Sequence, residues 1–418
     1  MQQASLKAAK KGGDLVILSP TGSGKTLGFL LPVLHMLEQD KAGVQAMVIV
    51  PSRELAIQIE SVFRSMGTGF KVTCCYGGHS SKTETTSLEQ PPALLVGTPG
   101  RIADHIRRGS FDTNSIRILV LDEFDKALEY GFQEEMSFII KELKHLKQRI
   151  LTSATKSLEI PAFTGIKTPT ELNYLNDEMP EGLKVKIIRS ASTDKLDSLF
   201  GLICKLGNAP TLIFCNHREA VERISELLRR KGLGHDVFHG GLEQDERQRA
   251  LIKFRNGSHK WLVTTDLAAR GLDIPEIQYV IHYQLPLTES AFVHRNGRTA
   301  RMHAKGTSYL ILDTDEHAPA YLKETPEIET LPAKNTLPPP SEWATIYITG
   351  GKKDKINKMD IVGFLLQKGK LLKEELGLIE VQDHCCYAAV NSKKVNSIIQ
   401  IAKGEKIKKQ SVKIELAR

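Results

Sequence analysis

Two short stretches carry side chains suited to phosphate chemistry. In "SPTGSGKT", Ser19 to Thr26, the tail Gly22-Ser23-Gly24-Lys25-Thr26 follows the apolar run "DLVIL" and opens a helical pattern. Small residues in that setting let backbone N–H groups turn inward as an anion cradle at a helix N-terminus. The spacing points to a nucleotide held by Thr21, Gly22, Ser23, Gly24, Lys25 and Thr26. Lys25 is expected on the β- and γ-phosphates and Thr26 on Mg2+. In "LVLDEFDKALEYGF", Leu119 to Phe132, an apolar run ends in Asp122, Glu123 and Asp125. Alone, these acids could be solvated charges in a first helical turn. Beside a phosphate loop, one carboxylate is needed to hold the metal and a second group to orient attacking water. Asp122 and Glu123 fit those roles, while Phe124 supplies no ligand and is expected to pack against neighbouring strand ends.

The elements that must position these residues are short apolar, β-branched runs between helical patterns. "DLVIL", "AMVIVP", "ALLVGTP", "RILVLDE" and "RILTSAT" form a first series; "PTLIFCN", "HDVFHG", "KWLVTTD", "QYVIHY" and "GTSYLIL" form a second. That alternation predicts an α/β fold with two parallel sheets built from βαβ units. Residues 1–168 are read as a first, nucleotide-binding domain, 169–184 as a linker, and 185–332 as a second domain. Residues 333–341 follow as a Pro-rich linker containing Pro338-Pro339-Pro340. Residues 342–418 read as a small α+β domain of order β-α-β-β-α-β. The chain of 418 residues carries a net charge of +8. From Glu342 onward, fifteen Lys and Arg face nine Asp and Glu, so six of those charges sit in the last segment. This favours a polyanionic partner. None of the six cysteines has C-x-x-C spacing, so neither zinc nor a disulfide framework is indicated, and a reducing cytoplasm is expected. No apolar run reaches the ~18 residues of a membrane span.

In sequence order, these motifs resemble those of the DEAD-box RNA helicases: "SPTGSGKT", "PSRELAIQ", "GG" (77–78), "TPGR", "DEFD", "SAT", "LIFCN", "HGGLEQDER", "TTDLAARGLDIP" and "HRNGRTAR". The resemblance, from Gln2 to about residue 313, implies two RecA-like domains that close around ATP and a single RNA strand. It implies an ATP hydrolase that separates short duplexes, with Lys25, Glu123, Arg298 and Arg301 catalytic, the last two as arginine fingers from "HRNGRTAR", which also carries Arg295. It places Gln2 on adenine and Asp273 on the ribose. It links hydrolysis to closure through Asp125, Ser153, Thr155 and His294. Arg53, Gly77, Gly78, Thr98, Arg101, Gln244, Arg247 and Thr265 are implied on the RNA strand, where guanidinium forks, hydroxyls and N–H groups suit phosphates and carry no base information.

Phe124 stands where the family most often has alanine. The aromatic residue and proline that lie upstream of the family glutamine are absent, so the chain start, whether native or mis-set, is expected to fray and to weaken adenine recognition. The last segment, with "GGKKDKI" and "GEKIKKQSV", resembles the RRM-like C-terminal domain of the DbpA subgroup. That implies anchoring on structured large-subunit ribosomal RNA and a role in ribosome assembly. Tyr347, Lys352, Lys353, Lys355, Lys406 and Lys408 are the expected contacts, with Tyr347 facing away from Ile346 and Ile348 by strand alternation. A monomeric cytoplasmic enzyme without a membrane partner is expected. A non-catalytic RNA clamp or assembly scaffold and a DNA helicase are the alternatives.

Overall fold

The computed structural model describes residues 1–418 apart from 21, 79–80, 156–158, 176–181, 270–273, 275–276, 300–304, 323–324, 409 and 418. The chain divides into two compact units, the first reaching Met179 and the second taking most of the chain from Pro180 onward.

The first unit holds α1 (Gln2–Lys10), β1 (Leu15–Leu18), α2 (Lys25–Met36), β2 (Ala46–Ile49) and α3 (Arg53–Ser65). These are followed by β3 (Val72–Cys75), α4 (Ser81–Leu88), β4 (Leu94–Gly97), α5 (Pro99–Arg107), β5 (Ile118–Leu121), α6 (Phe124–Glu129), α7 (Gln133–Glu142), β6 (Gln148–Ser153) and β7 (Thr170–Asn173). Strands such as "LVIL" and "ILVL" are buried at every position, because helices cover both faces of a parallel sheet. The strand order is β3-β4-β2-β5-β6-β1-β7. Strand β7 corrects the sequence reading. Thr170–Asn173, assigned there to a linker, pairs in parallel with β1 from Leu15↔Thr170 to Leu18↔Asn173. Its side chains are mostly exposed, so no apolar run announced it.

The second unit opens with β8 (Leu183–Arg189), α8 (Leu196–Leu206), β9 (Thr211–Phe214), α9 (Arg218–Arg230), β10 (His235–Phe238), α10 (Gln244–Arg255) and β11 (Trp261–Thr264). It continues with β12 (Tyr279–His282), α11 (Glu289–Asn296), β13 (Gly306–Leu312) and β14 (Glu327–Ile328), giving the sheet β10-β11-β9-β12-β13-β8-β14.

A small antiparallel sheet completes the unit. Here β15 (Trp343–Thr349), α12 (Lys358–Gln367), β16 (Leu376–Val381), β17 (Cys385–Asn391), α13 (Val395–Ile401), the hairpin β18 (Lys406–Ile407) and β19 (Gln410–Ser411), and β20 (Ile414–Leu416) follow one another. The order β16-β17-β15-β20 places the first and third strands of the β-α-β-β-α-β pattern at the centre. Ile346 and Ile348 enter a core with Phe364, Leu365 and Ile398 of the two helices.

Candidate active site

In the first sheet, β5, β6 and β1 are neighbours, so Asp122, Ser153 and Ser19 emerge side by side at their carboxyl ends. Parallel sheets bind ligands at this edge. Ser19 N–H donates to the Ser153 carbonyl at 3.0 Å, and Asp122 N–H to the Ile49 carbonyl at 3.0 Å, which fixes the loop starts. The phosphate loop is tied internally. Ser19 Oγ bonds Ser23 Oγ at 2.5 Å, and Ser23 Oγ donates to the Pro20 carbonyl at 2.7 Å. The buried Lys25 ammonium donates back to the Ser19 carbonyl at 2.8 Å. Gly24 turns the chain into α2 at φ 86°, and a Cβ there would stand 2.5 Å from Gln2 Nε2. The positive φ is what calls for glycine, while the approach shows how closely the Gln2 amide lies on the loop.

Gln2 therefore sits against the phosphate loop, donating to the Gly24 carbonyl at 3.4 Å. The expected fraying of the chain start is not found. Ser5 is fully buried and donates to the Gly28 carbonyl at 2.6 Å, and Met1 packs on the first-unit core.

Asp122 and Glu123 take different environments although they are adjacent. Asp122 is buried and accepts a hydrogen bond from Thr152 Oγ1, which in turn accepts Glu123 N–H at 3.2 Å. Burial raises the Asp122 carboxyl above its ordinary range, against the pull of the Thr152 hydroxyl and Lys25. Thr152 escaped the sequence reading; its only mark is a polar residue inside the apolar strand "RILTS". Glu123 adopts φ 48°, ψ 48°, the left-handed region that a glutamate enters only under structural constraint. Phe124 is fully buried in a core with Leu18, Ile49, Leu121 and Leu151, its ring 6.3 Å from that of Phe163. Ser153 and Thr155 bond one another, Thr155 N–H donating to Ser153 Oγ at 3.0 Å. A desolvated carboxylate at Asp122 and the hydroxyl of Thr26 are hard oxygen donors, the set that suits Mg2+.

On the same sheet edge, β3, β4 and β2 carry the residues expected on RNA. Arg53 begins α3 behind the N-cap Ser52, whose Oγ accepts Leu55 N–H at 3.3 Å. The Arg53 guanidinium lies across the glycine pair: a Cβ on Gly78, at φ 98°, would fall 2.2 Å from Arg53 Nη1. Arg101 follows Thr98 on α5, 3.3 Å from Glu84. The motifs expected on nucleotide and those expected on RNA thus occupy opposite halves of one sheet edge.

In the second unit, Arg295 is almost fully buried, and each of its three guanidinium nitrogens donates to an internal partner. It pairs with both oxygens of Asp266 at 2.5 and 3.1 Å, with Asn216 Oδ1 at 2.7 Å and with the Gln284 carbonyl at 2.8 Å. It ties together the ends of β9, β11 and β12. Asp266, Asn216 and Gln284 went unsuspected in the sequence because their partner lies far along the chain. His294 and Arg298 are buried nearby on and just after α11. Arg247 Nη2 donates to Gln244 Oε1 at 2.5 Å, and Thr265 N–H to the Phe238 carbonyl at 3.3 Å, which brings these three to the β10–β11 side. Thr21, Asp273 and Arg301 lie outside the described residues.

The small sheet brings "GGKKDKI" and "GEKIKKQSV" together. Lys408 Nζ donates to the Lys355 carbonyl at 2.6 Å and pairs with Asp360 at 2.8 Å, while Lys352, Lys353, Lys355 and Lys406 are exposed around it. Tyr347 does point away from the isoleucines, but it does not form an open platform. Its face is covered by α10: Ile252 packs on Tyr387 and Ala417, with Tyr347 alongside. Arg255 pairs with Glu380 at 2.9 Å, Asn256 and Ser258 bond Thr345 at 3.1 and 2.6 Å, and Ser341 Oγ donates to the Gly257 carbonyl at 2.6 Å. Tyr347, expected as an RNA contact, is thereby partly buried against α10 and does not lie on an open sheet face.

Residues 1–162 match the DEAD/DEAH box helicase family, 194–303 the helicase conserved C-terminal domain, and 345–416 the DbpA RNA binding domain. The chain is 30% identical over 459 residues to the ATP-dependent RNA helicase DbpA of Bacillus subtilis (strain 168), covering 100% of this chain and 94% of that protein. The chain belongs to the DEAD-box helicases, in the DbpA-like group. The DbpA protein of Escherichia coli (strain K12) is likewise 30% identical over 429 residues, with the same coverage. Dbp5 of S. cerevisiae, solved bound to RNA and ADP BeF3, superposes with a TM-score of 0.67 at 27% identity, over 75% of this chain and 83% of that one. This DEAD-box helicase is an ATP-hydrolysing, RNA-binding enzyme, which removes the non-catalytic clamp and the DNA helicase as alternatives. No helix among the described residues is long and apolar enough to cross a membrane.

Proposed function

We propose that this helicase acts on structured ribosomal RNA during large-subunit assembly, as a cytoplasmic monomer. The observation that carries the reading is the meeting of the Lys352–Lys355 loop with the Lys406–Lys408 hairpin on a DbpA-type domain whose aromatic face is already occupied. Such a domain recognises RNA by charge and shape at a basic corner, which suits a folded hairpin rather than a splayed single strand.

In this reading Lys25 and the loop from Thr21 to Thr26 cradle the phosphates, with Gln2 on adenine and Asp273 on ribose. Thr26 and Asp122 hold Mg2+, which supplies charge neutralisation at the phosphates. Glu123 orients the attacking water, and Arg298 and Arg301 stabilise the negative charge that spreads in the transition state. Asp125, Ser153, Thr155 and His294 transmit the nucleotide state. Arg53, Gly77, Gly78, Thr98, Arg101, Gln244, Arg247 and Thr265 grip the RNA backbone without reading bases.

The test is ATP hydrolysis without RNA, with a generic RNA, and with a large-subunit ribosomal RNA fragment containing a hairpin, alongside Lys25→Ala. Strong stimulation by the hairpin fragment, lost in Lys352→Glu/Lys353→Glu, is expected. Equal stimulation by both RNAs refutes the ribosomal address.

A further inference from the structure

One buried carboxylate outside the nucleotide site joins two of the RNA-facing loops. Glu84, on α4, is 2% exposed. Its Oε1 accepts the Tyr76 backbone N–H at 2.9 Å, and Tyr76 immediately precedes Gly77-Gly78. Its Oε2 lies 3.3 Å from Arg101 Nη1 and 2.8 Å from Nε2 of His105, which is fully buried. With Nε2 donating to Glu84, His105 Nδ1 accepts from the Ser110 hydroxyl at 3.0 Å. The carboxylate is thereby bonded from the loop after β3, the arginine of "TPGR" after β4, and the interior of α5.

We propose that Glu84 is a positioning residue for RNA binding: it sets the glycine-pair loop and the Arg101 guanidinium in one fixed relation. The proposal rests on the reading of Gly77, Gly78 and Arg101 as RNA contacts. A guanidinium on a long flexible chain grips a phosphate well only when its fork is held, and backbone N–H groups only when their loop is held. Glu84 performs both through its two oxygens, and His105 completes the shell so that the carboxylate stays where it is. The Arg53 guanidinium lies against the same glycine pair.

A metal site is the competing reading, because Cys75, Glu84 and His105 bring possible ligand atoms within 4.8 Å of one another. Three features disfavour it. Both Glu84 oxygens already accept hydrogen bonds, a guanidinium lies 3.3 Å away where a second cation would be repelled, and burial pushes the Cys75 thiol well above its ordinary range, away from the thiolate a metal needs.

The experiment compares RNA-stimulated ATP hydrolysis of the full chain as wild type, Glu84→Gln, Arg101→Ala and the double variant, at several salt concentrations. Glutamine keeps the shape but turns an amide N–H2 toward His105 and Arg101. Glu84→Gln is expected to raise the RNA concentration for half-maximal activity about tenfold, with kcat at saturating RNA and KM for ATP unchanged. The double variant is expected to be no worse than the more severe single, since the two act through one contact. The salt slope is expected to fall by about one in both singles, the mark of a lost phosphate contact that a general packing defect would not give.

An unchanged RNA requirement in Glu84→Gln, with Arg101→Ala impaired, overturns the positioning role alone. An Arg101→Ala variant with normal RNA affinity overturns the RNA-contact reading and the proposal with it. A parallel loss of ATP affinity and thermal stability in Glu84→Gln shows a structural carboxylate and also overturns it. Should Glu84→Gln not fold, Glu84→Asp, which keeps the charge and shortens the reach, is read in the same way.

Discussion

Replacing Phe124 by alanine, the residue most usual in the family at that position, should weaken the first unit while leaving its chemistry in place. The ring is fully buried among Leu18, Ile49, Leu121 and Leu151 and 6.3 Å from Phe163. Truncating a buried phenylalanine to alanine typically costs about 3–4 kcal/mol, because the cavity relaxes only in part. With a urea dependence of about 2 kcal/mol per molar, that cost moves the unfolding midpoint down by about 1.5–2 M. The chain offers a built-in way to see which unit changes. Its two tryptophans, Trp261 and Trp343, both belong to the second unit. Far-ultraviolet circular dichroism reports both units; tryptophan fluorescence reports the second. Phe124→Ala should shift the dichroism transition and leave the fluorescence transition where it was. Because Phe124 provides no ligand, kcat in native buffer should stay within about threefold of wild type, a change of under ~0.7 kcal/mol in barrier. A dichroism midpoint that moves by less than about 0.5 M would refute the packing argument, and so would an equal shift of both probes.

Burial holds the His282 imidazole down at about 3, against an ordinary 6.5. The unfolded chain therefore takes up a proton between those values that the folded one refuses. Stability is complete above pH 6.5 and declines as pH falls, by about 2 kcal/mol at pH 5. The fluorescence-detected midpoint should fall accordingly between pH 7 and 5, and His282→Gln should flatten that fall; an equally steep variant would sink the assignment. Gly78→Ala forces a side chain into φ 98° and against Arg53, and should raise the RNA requirement about tenfold, or ~1.4 kcal/mol, without changing KM for ATP. Ile252→Asp places a charge against Tyr387 and Ala417. It should release the small sheet from α10, seen as faster tryptic cleavage at Lys334, with ATP hydrolysis on generic RNA preserved; unchanged cleavage would show that the docking does not depend on this contact.

Most of the strands and the phosphate loop were legible because their signals are local. Four-residue runs such as "LVIL" are strands buried on both faces, and a Gly-Ser-Gly-Lys-Thr tail can cradle phosphate wherever a strand feeds a helix. What stayed hidden was set by partners distant in sequence. Thr152 meets Asp122 across 30 positions, Asp266 meets Arg295 across 29, and Glu84 meets His105 across 21. A lone threonine, aspartate or glutamate gives no sign of which guanidinium, imidazole or carboxylate the fold will bring to it. Arg295 shows the same limit from the other direction. Among three arginines in one motif, spacing could not tell the one consumed in holding β9, β11 and β12 together. Strand β7 was missed because the edge β1 offers is backbone, and backbone pairing accepts "TELN" as readily as an apolar run.

Helix α10 joins the loop of the second sheet that is expected on RNA to the small domain. Its first turn carries Gln244 and Arg247, bonded to each other, and its last turns carry Ile252 and Arg255, on which Tyr387 and Glu380 rest. Twelve residues of α-helix span about 18 Å and bend little. The capping box of Glu243 and Glu246 fixes the helix start, and the Gly257–Ser341 bond secures the chain just past its end. Anything that seats the basic corner at Lys352 to Lys355 therefore acts on a body rigidly joined to the residues expected to grip the strand. The strand alternation of "IYI" did place Tyr347 away from its own core, and the physical rule behind it holds. An exposed aromatic face, however, is apolar surface that water disfavours. In this chain it is packed in part on α10, which leaves the lysines around it as the side chains expected to meet RNA.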